Sequence, residues 1–292
     1  MPKPSVAMKF TGDTGARGRS TRPEGTLITV RSGETNGMER ADMTRSALRN
    51  VRLTAWILMA FAAPLALAGD WPQWRGPQRD ARSAETGLLQ SWPEGGPELL
   101  WSASGFGAGY SSVAVAGDRV FTMGDVGEDQ FLFAASTEDG RILWKQRVGP
   151  AWTEDMFGGS RGTPTVDGER VYALGSDGDL LCADAATGKP VWRRDLPADF
   201  GGKMMFAGDR YDWRFSESPL VDGDRVVVSP GARDAALVAL DKRTGKPVWR
   251  ASVPDLGERG LDGAAYSSVV VSEAAGVRQY VQMLGRGLVG IE

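Results

Sequence analysis

Two short phrases recur three times along this chain, and their spacing constrains the fold more than any other feature. Val115-Ala-Gly-Asp-Arg-Val120 returns as Val166-Asp-Gly-Glu-Arg-Val171 and as Val221-Asp-Gly-Asp-Arg-Val226. Behind each trails a second phrase: Asp139-Gly-Arg-Ile-Leu-Trp144, Thr187-Gly-Lys-Pro-Val-Trp192 and Thr244-Gly-Lys-Pro-Val-Trp249. The period is about 50 residues, the range of propeller blades and solenoid units. Within the second copy, Thr163–Val166, Arg170–Leu174, Asp179–Ala183 and Pro190–Arg194 read as strands. Between them lie Asp167-Gly168, Ser176-Asp-Gly178 and Ala186-Thr-Gly188, whose Gly and Asp residues tolerate the positive φ of tight turns. Four antiparallel strands per period make one propeller blade. The expectation is an all-β chain, a β-propeller of four-stranded antiparallel blades. The blades fall at residues 110–149, 161–197 and 216–254, with a shortened copy at 265–292, about four in all.

The repeated residues have physical tasks. Gly140, Gly188 and Gly245 let the last turn of each blade close. Asp184 and Asp241 are placed to bind backbone N–H groups of that turn, and Ser136 stands at the aligned place in the first copy. Trp144, Trp192 and Trp249 are expected to bury their rings between adjacent blades. Cys182 lies mid-strand between Leu181 and Ala183 and reads as a small buried hydrophobe rather than a nucleophile.

Composition removes several function classes. The chain has no histidine and one cysteine. No Ser-His-Asp or Cys-His unit can form, nor a Cys-x-x-Cys pair, nor a haem attachment motif. Any metal would be a hard cation held by oxygen ligands, such as calcium. The net charge is −3, but residues 1–68 carry +5, which leaves −8 on the rest. So acidic a body argues against nucleic acid as a partner, because phosphate binding needs a basic patch.

The N-terminus reads as an address. Leu53–Ala68 is a mostly apolar run preceded by Arg45, Arg49 and Arg52, and it ends in Ala66-Leu67-Ala68, a small-x-small cleavage signature. It is shorter than the roughly 20 residues of a spanning helix. Residues 43–68 are therefore expected to be a signal peptide cleaved near Ala68, with residues 1–42 a disordered leader or a mis-assigned start. The mature chain would be periplasmic or extracellular, without a transmembrane domain. No cysteine stands directly after the cleavage point to carry a lipid. Residues 69–109 form an N-terminal segment in which Leu99-Leu-Trp101 reads as a lone fourth strand.

The phrase Cys182-Ala-Asp184-x-x-Thr-Gly-Lys-x-x-Trp192 and its twin Ala239-Leu-Asp241-x-x-Thr-Gly-Lys-x-x-Trp249 resemble the tryptophan-docking motif of the pyrroloquinoline-quinone-like propeller repeat family. Asp70-Trp-Pro-Gln-Trp-Arg-Gly-Pro77 is similar to the opening of exported bacterial members. The resemblance covers most of residues 70–292 and implies a quinoprotein-like fold. Family rings usually have seven or eight blades, so the expectation is an incomplete ring, a piece of a longer protein, with pairing of two half-rings as the rival. Two functions follow from the resemblance. One is a binding or scaffold module that takes a protein partner or small ligand at the propeller face. The other is a quinone-dependent dehydrogenase of alcohols or sugars, with the quinone held against calcium. Propeller ligands gather at the channel, where the loops before the innermost strands converge. Arg161, Arg214, Glu217, Arg259 and Asp262 are the charged residues nearest those strand starts. The arginines suit an anionic ligand, and the acids suit calcium or a base role. No catalytic residue follows from the sequence.

Overall fold

The computed structural model describes residues 5–11, 28–30, 69–153, 157–205, 212, 214–254 and 260–292. The predicted signal peptide and Arg259 lie outside these residues. The architecture is all-β. Strands β4–β7 (Ala114–Ala116, Arg119–Val126, Asp129–Ser136, Ile142–Pro150) form one antiparallel meander. Strands β8–β11 (Thr165–Asp167, Arg170–Leu174, Asp179–Asp184, Pro190–Asp195) form the second, and β12–β15 (Leu220–Asp222, Arg225–Val228, Leu237–Asp241, Pro247–Ala251) the third. The fourth sheet has three strands, β16–β18 (Val270–Ser272, Gln279–Leu284, Gly287–Ile291). Between the second and third sheets lies a single helical turn, α1 (Leu196–Phe200). Asp195 caps it, accepting from the Ala198 N–H at 2.8 Å.

The central strands of the second and third blades are buried on both faces, so they read as continuous apolar runs, whereas β17 of the fourth alternates. Leu180, Leu181, Cys182 and Ala183 are fully buried, as are Leu237, Val238, Ala239 and Leu240. Successive blades share their cores: Leu174, Leu180 and Cys182 of the second pack in one cluster with Val226, Val238 and Leu240 of the third. Burial pushes the Cys182 thiol up to about 12, which keeps it an inert packing group.

The outer rim repeats one contact. Trp144 Nε1 donates to the Ala185 carbonyl at 3.3 Å and Trp192 Nε1 to the Lys242 carbonyl at 3.0 Å, each on the last turn of the following blade. The ring lies flat on the glycine of that turn. A Cβ on Gly188 would come within 2.6 Å of the Trp144 ring, and one on Gly245 within 2.7 Å of Trp192. These glycines (φ +73° and +70°) both close the turn and clear the floor for the tryptophan. Asp184 Oδ1 accepts from the Thr187 N–H at 2.9 Å, and Asp241 Oδ1 from the Thr244 N–H at 2.8 Å, which holds each turn in shape.

Trp101 joins the same series. It sits on β3 (Trp101–Ser104), donates to the Thr137 carbonyl at 3.0 Å, and covers Gly140 of the first blade. Its strand thus occupies the position of an outermost strand one blade before the first. Two further strands, β1 (Ser5–Thr11) and β2 (Ile28–Val30), are described within residues 1–42. β1 runs parallel to β3, with Met8 opposite Trp101.

Segment 70–79 crosses the inner edges of all four blades. Trp71 pairs with Val115 of β4 through two backbone hydrogen bonds of 2.8 Å, and the Pro72 carbonyl accepts from Val166 of β8 at 2.7 Å. Arg79 Nη1 donates to the Ser218 carbonyl at 3.1 Å and to the Val269 carbonyl at 2.9 Å, and Nη2 donates to the Pro219 carbonyl. One short segment therefore laces the first, second, third and fourth blades on the channel side.

Candidate functional site

At one end of the channel the four blades surround a cavity of about 250 Å³. Aligning the repeats explains its lining. Two positions before each innermost strand stands a hydroxyl residue: Ser112, Thr163, Ser218 and Ser268. These stitch blades together, since Ser218 Oγ accepts from the Thr163 N–H at 2.9 Å and Ser268 Oγ from the Ser218 N–H at 2.8 Å. Two residues further upstream the positions diverge into Tyr110, Arg161, Ser216 and Tyr266, all of which also line the cavity, with Trp74 of the N-terminal segment. The inner ring is thus built of hydroxyls, with one guanidinium between two phenols.

Arg161 is the focus of this mouth. Its guanidinium carbon lies 4.3 Å from the centre of the Trp152 ring and 5.2 Å from those of Tyr110 and Tyr266, within cation–π range of all three. Its Nη2 donates to the Phe157 carbonyl. Its Nε is buried and has no hydrogen-bond partner, and the same holds for Trp152 Nε1. Among the described residues no carboxylate pairs with it. Desolvation pulls its affinity for a proton below the ordinary arginine value. Trp152 is itself positioned: its backbone N–H donates to Asp125 Oδ2 at 2.8 Å, while Gln130 Nε2 donates to Asp125 Oδ1 at 2.7 Å.

The other residues predicted for the channel sit differently. Arg214 lies beside the mouth, 5.7 Å from the Trp152 ring, but its charge is met by Asp177 at 2.5 Å and Asp212 at 3.3 Å. Asp262 is paired with Arg286 at 2.5 Å and Lys203 at 3.7 Å, away from the cavity. Glu217 is fully buried behind the hydroxyl ring. Its Oε1 accepts from the Ser229 N–H at 2.5 Å, and its Oε2 accepts from Ser229 Oγ at 2.8 Å and Gln282 Nε2 at 3.1 Å. Burial pushes its pKa up to about 7 against the pull of the Ser229 hydrogen bonds and the Arg79 charge. In the first blade the same task falls to Ser111, whose Oγ accepts from the Met123 N–H. Glu217 is therefore a cross-blade linker rather than a group facing the cavity.

This donor set does not fit a calcium-held tricarboxylate quinone. The cavity lining carries no carboxylate. Glu217 and Asp262 have their oxygens committed elsewhere, and among the described residues no cluster of three or more metal-ligating side chains occurs. In the sequence, Trp152 and Tyr266 stand at the ends of the candidate channel loops 152–161 and 257–266, while Arg79 and Tyr110 carry no such mark. Tyr110, Arg161 and Tyr266 share one repeat position, so extending the repeat alignment five residues upstream of Val115, Val166 and Val271 brings them into register. Nothing in the sequence marks Arg79, whose partners lie about 140 and 190 residues away.

A family model described as outer membrane protein assembly factor BamB, of the pyrroloquinoline-quinone-like repeat class, matches residues 85–178 and 149–291. The chain belongs to this family. It is 31% identical over 169 residues to the outer membrane protein assembly factor BamB of Xanthomonas campestris, covering 56% of this chain and 36% of that protein. The BamB of Burkholderia pseudomallei is 25% identical over 237 residues, 68% of this chain and 57% of that one. The quinohemoprotein alcohol dehydrogenase ADH-IIG of Pseudomonas putida is 29% identical over 130 residues, 41% of this chain and 16% of the enzyme. The solved structure of that class of enzyme from Pseudomonas putida HK5 aligns with a TM-score of 0.42 at 18% identity, over 63% of this chain and 30% of that one. The chain spans 36%, 57% and 16% of the length of these three curated relatives. The propeller fold and the repeat family expected from the docking motif are both met. Among the described residues no helix is long and apolar enough to cross a membrane.

Proposed function

We propose that this protein is an exported, non-catalytic propeller that binds a protein partner through the loops at the Arg161 mouth. The observation that carries the reading is the mouth itself. A half-buried arginine is stacked among Trp152, Tyr110 and Tyr266, with Tyr110 and Phe157 about half exposed beside it. Tyr, Trp and Arg in one cluster make up the side-chain set that dominates protein–protein binding energy. The similarity to assembly factors, which by name act on other proteins, points the same way. Export rests on the apolar run 53–68 with its Ala66-Leu67-Ala68 end.

Site-specific photo-crosslinking in the native envelope tests this. A photoreactive residue at Phe157 should capture one discrete protein species, competed away by excess unlabelled chain. The same residue at Val248, exposed on the outer strand β15, should not. Equal labelling at both sites, or none at Phe157, overturns the reading. Dye reduction by alcohols after adding pyrroloquinoline quinone and calcium would replace it with the dehydrogenase.

A further inference from the structure

We propose that the mouth recognises an acidic peptide segment, with one Asp or Glu side chain entering the cavity to meet Arg161 and apolar neighbours covering the aromatic rim. This rests on the partner-binding reading above and names the chemistry of the partner. Among the described residues no carboxylate meets Arg161: its neighbour Arg214 is neutralised by Asp177 and Asp212, whereas the described contacts of Arg161 are rings and one carbonyl. Two buried polar atoms lack partners among the described residues, Arg161 Nε of the cavity lining and Trp152 Nε1 on the ring stacked against that guanidinium outside the lining, and both are obligate donors. Their complement is an acceptor, and a carboxylate is the acceptor with charge opposite to arginine. The hydroxyls of the ring can turn to donate as well.

Size favours a small occupant. Compact organic ligands occupy sites of roughly 300–1,000 Å³. The cavity here is about 250 Å³, room for one acidic side chain. Around it Tyr110, Phe157 and Tyr266 remain 50%, 52% and 47% exposed, apolar surface that a lone small anion would leave wet and a flanking peptide would cover. A basic segment would be repelled by Arg161, and a nucleic acid would meet the acidic body of the chain.

The test uses fluorescence anisotropy of the purified chain with three labelled, end-blocked pentapeptides, Ala-Phe-X-Leu-Ala with X as Glu, Gln or Lys. The Glu peptide should bind at least about 10-fold more tightly than the Gln peptide, the discrimination of one charge-assisted hydrogen-bonded contact, and the Lys peptide more weakly than either. Arg161→Gln should erase the Glu preference while leaving the thermal melt within a degree or two of the parent. Arg161→Lys should retain part of it, since the charge stays and the planar stacking goes. Equal binding of Glu and Gln peptides, or a Glu preference that survives Arg161→Gln, overturns the proposal. So does tight binding of citrate with no peptide binding, which would mark the cavity as a small-anion site. If Phe157 crosslinking to a partner persists in the Arg161→Gln protein, partner binding stands and the carboxylate recognition alone has failed.

Discussion

The outer rim of this propeller and its channel side are built from the same repeats and by opposite rules. On the rim each blade makes the contact its neighbour makes: a tryptophan lies on the next blade's turn glycine and donates to a carbonyl of that turn, at Trp101, Trp144 and Trp192 alike. On the channel side equivalent positions carry different chemistry. Tyr110, Arg161, Ser216 and Tyr266 share one register, as do Ser111, Gly162, Glu217 and Ser267. Repetition on the rim defines the stacking of blades. Divergence at the channel is where individual residues acquire individual partners, and where a binding specificity can be written without disturbing the stack.

The largest break in that comparison comes from Arg79, which has no counterpart in any repeat. Its guanidinium is buried, held down to about 10 by burial, and shared among carbonyls of two blades and the charge of Glu217. Arg79→Met should cost about 3–5 kcal/mol, because the buried Glu217 then loses its compensating charge and the carbonyls lose their donor. Thermal melts should fall accordingly, and limited proteolysis should cut within residues 69–83 that resist it in the parent. A melt shifted by no more than a degree would show that the segment does not lace the blades.

Next in size is the pH dependence set by Glu217. Its pKa is raised in the folded state, to about 7, above its value in an unfolded chain. The folded state therefore binds the proton more tightly. The stability this contributes is fully present below the unfolded pKa and is lost as pH rises through 7. Between pH 5 and pH 8 the loss should be on the order of 2 kcal/mol. Glu217→Gln should flatten this slope whatever it does to absolute stability, read from denaturant titrations across that range. An unchanged slope would place the titration elsewhere.

The smallest effect belongs to the rim. Asp184→Ala removes acceptors for the Thr187 N–H and hydroxyl on an exposed turn. Water can replace both bonds, so Tm should drop by about 2 °C or less, with no change in pH slope. A loss matching that of Arg79→Met would erase the distinction between rim and channel.

Much of the rim was legible because its determinants are local. Turn glycines, capping Asp side chains and docking tryptophans lie within about ten residues of one another and recur, so period and motif alone reveal them. The candidate site was legible in part. Arg161 was predicted and does stand at the mouth, whereas Asp262 is drawn aside by Arg286 and Glu217 is turned into the interblade wall by Ser229 and Gln282. A charged residue near a strand start can face the channel, a neighbour or the wall, and the sequence position is the same in each case.

By itself, then, the sequence determined the all-β class, the blade period, the family and the exclusion of histidine- and cysteine-based chemistry, because these depend on residue type and on spacing within one repeat. Only the tertiary structure decided which charges are free to meet a ligand. That choice depends on contacts between blades, between Arg79 and carbonyls far along the chain, and between Arg161 and three rings drawn from three separate blade junctions. Pairings at such separation follow from how the blades stack, and a pattern repeated every fifty residues carries no record of where the copies differ in space.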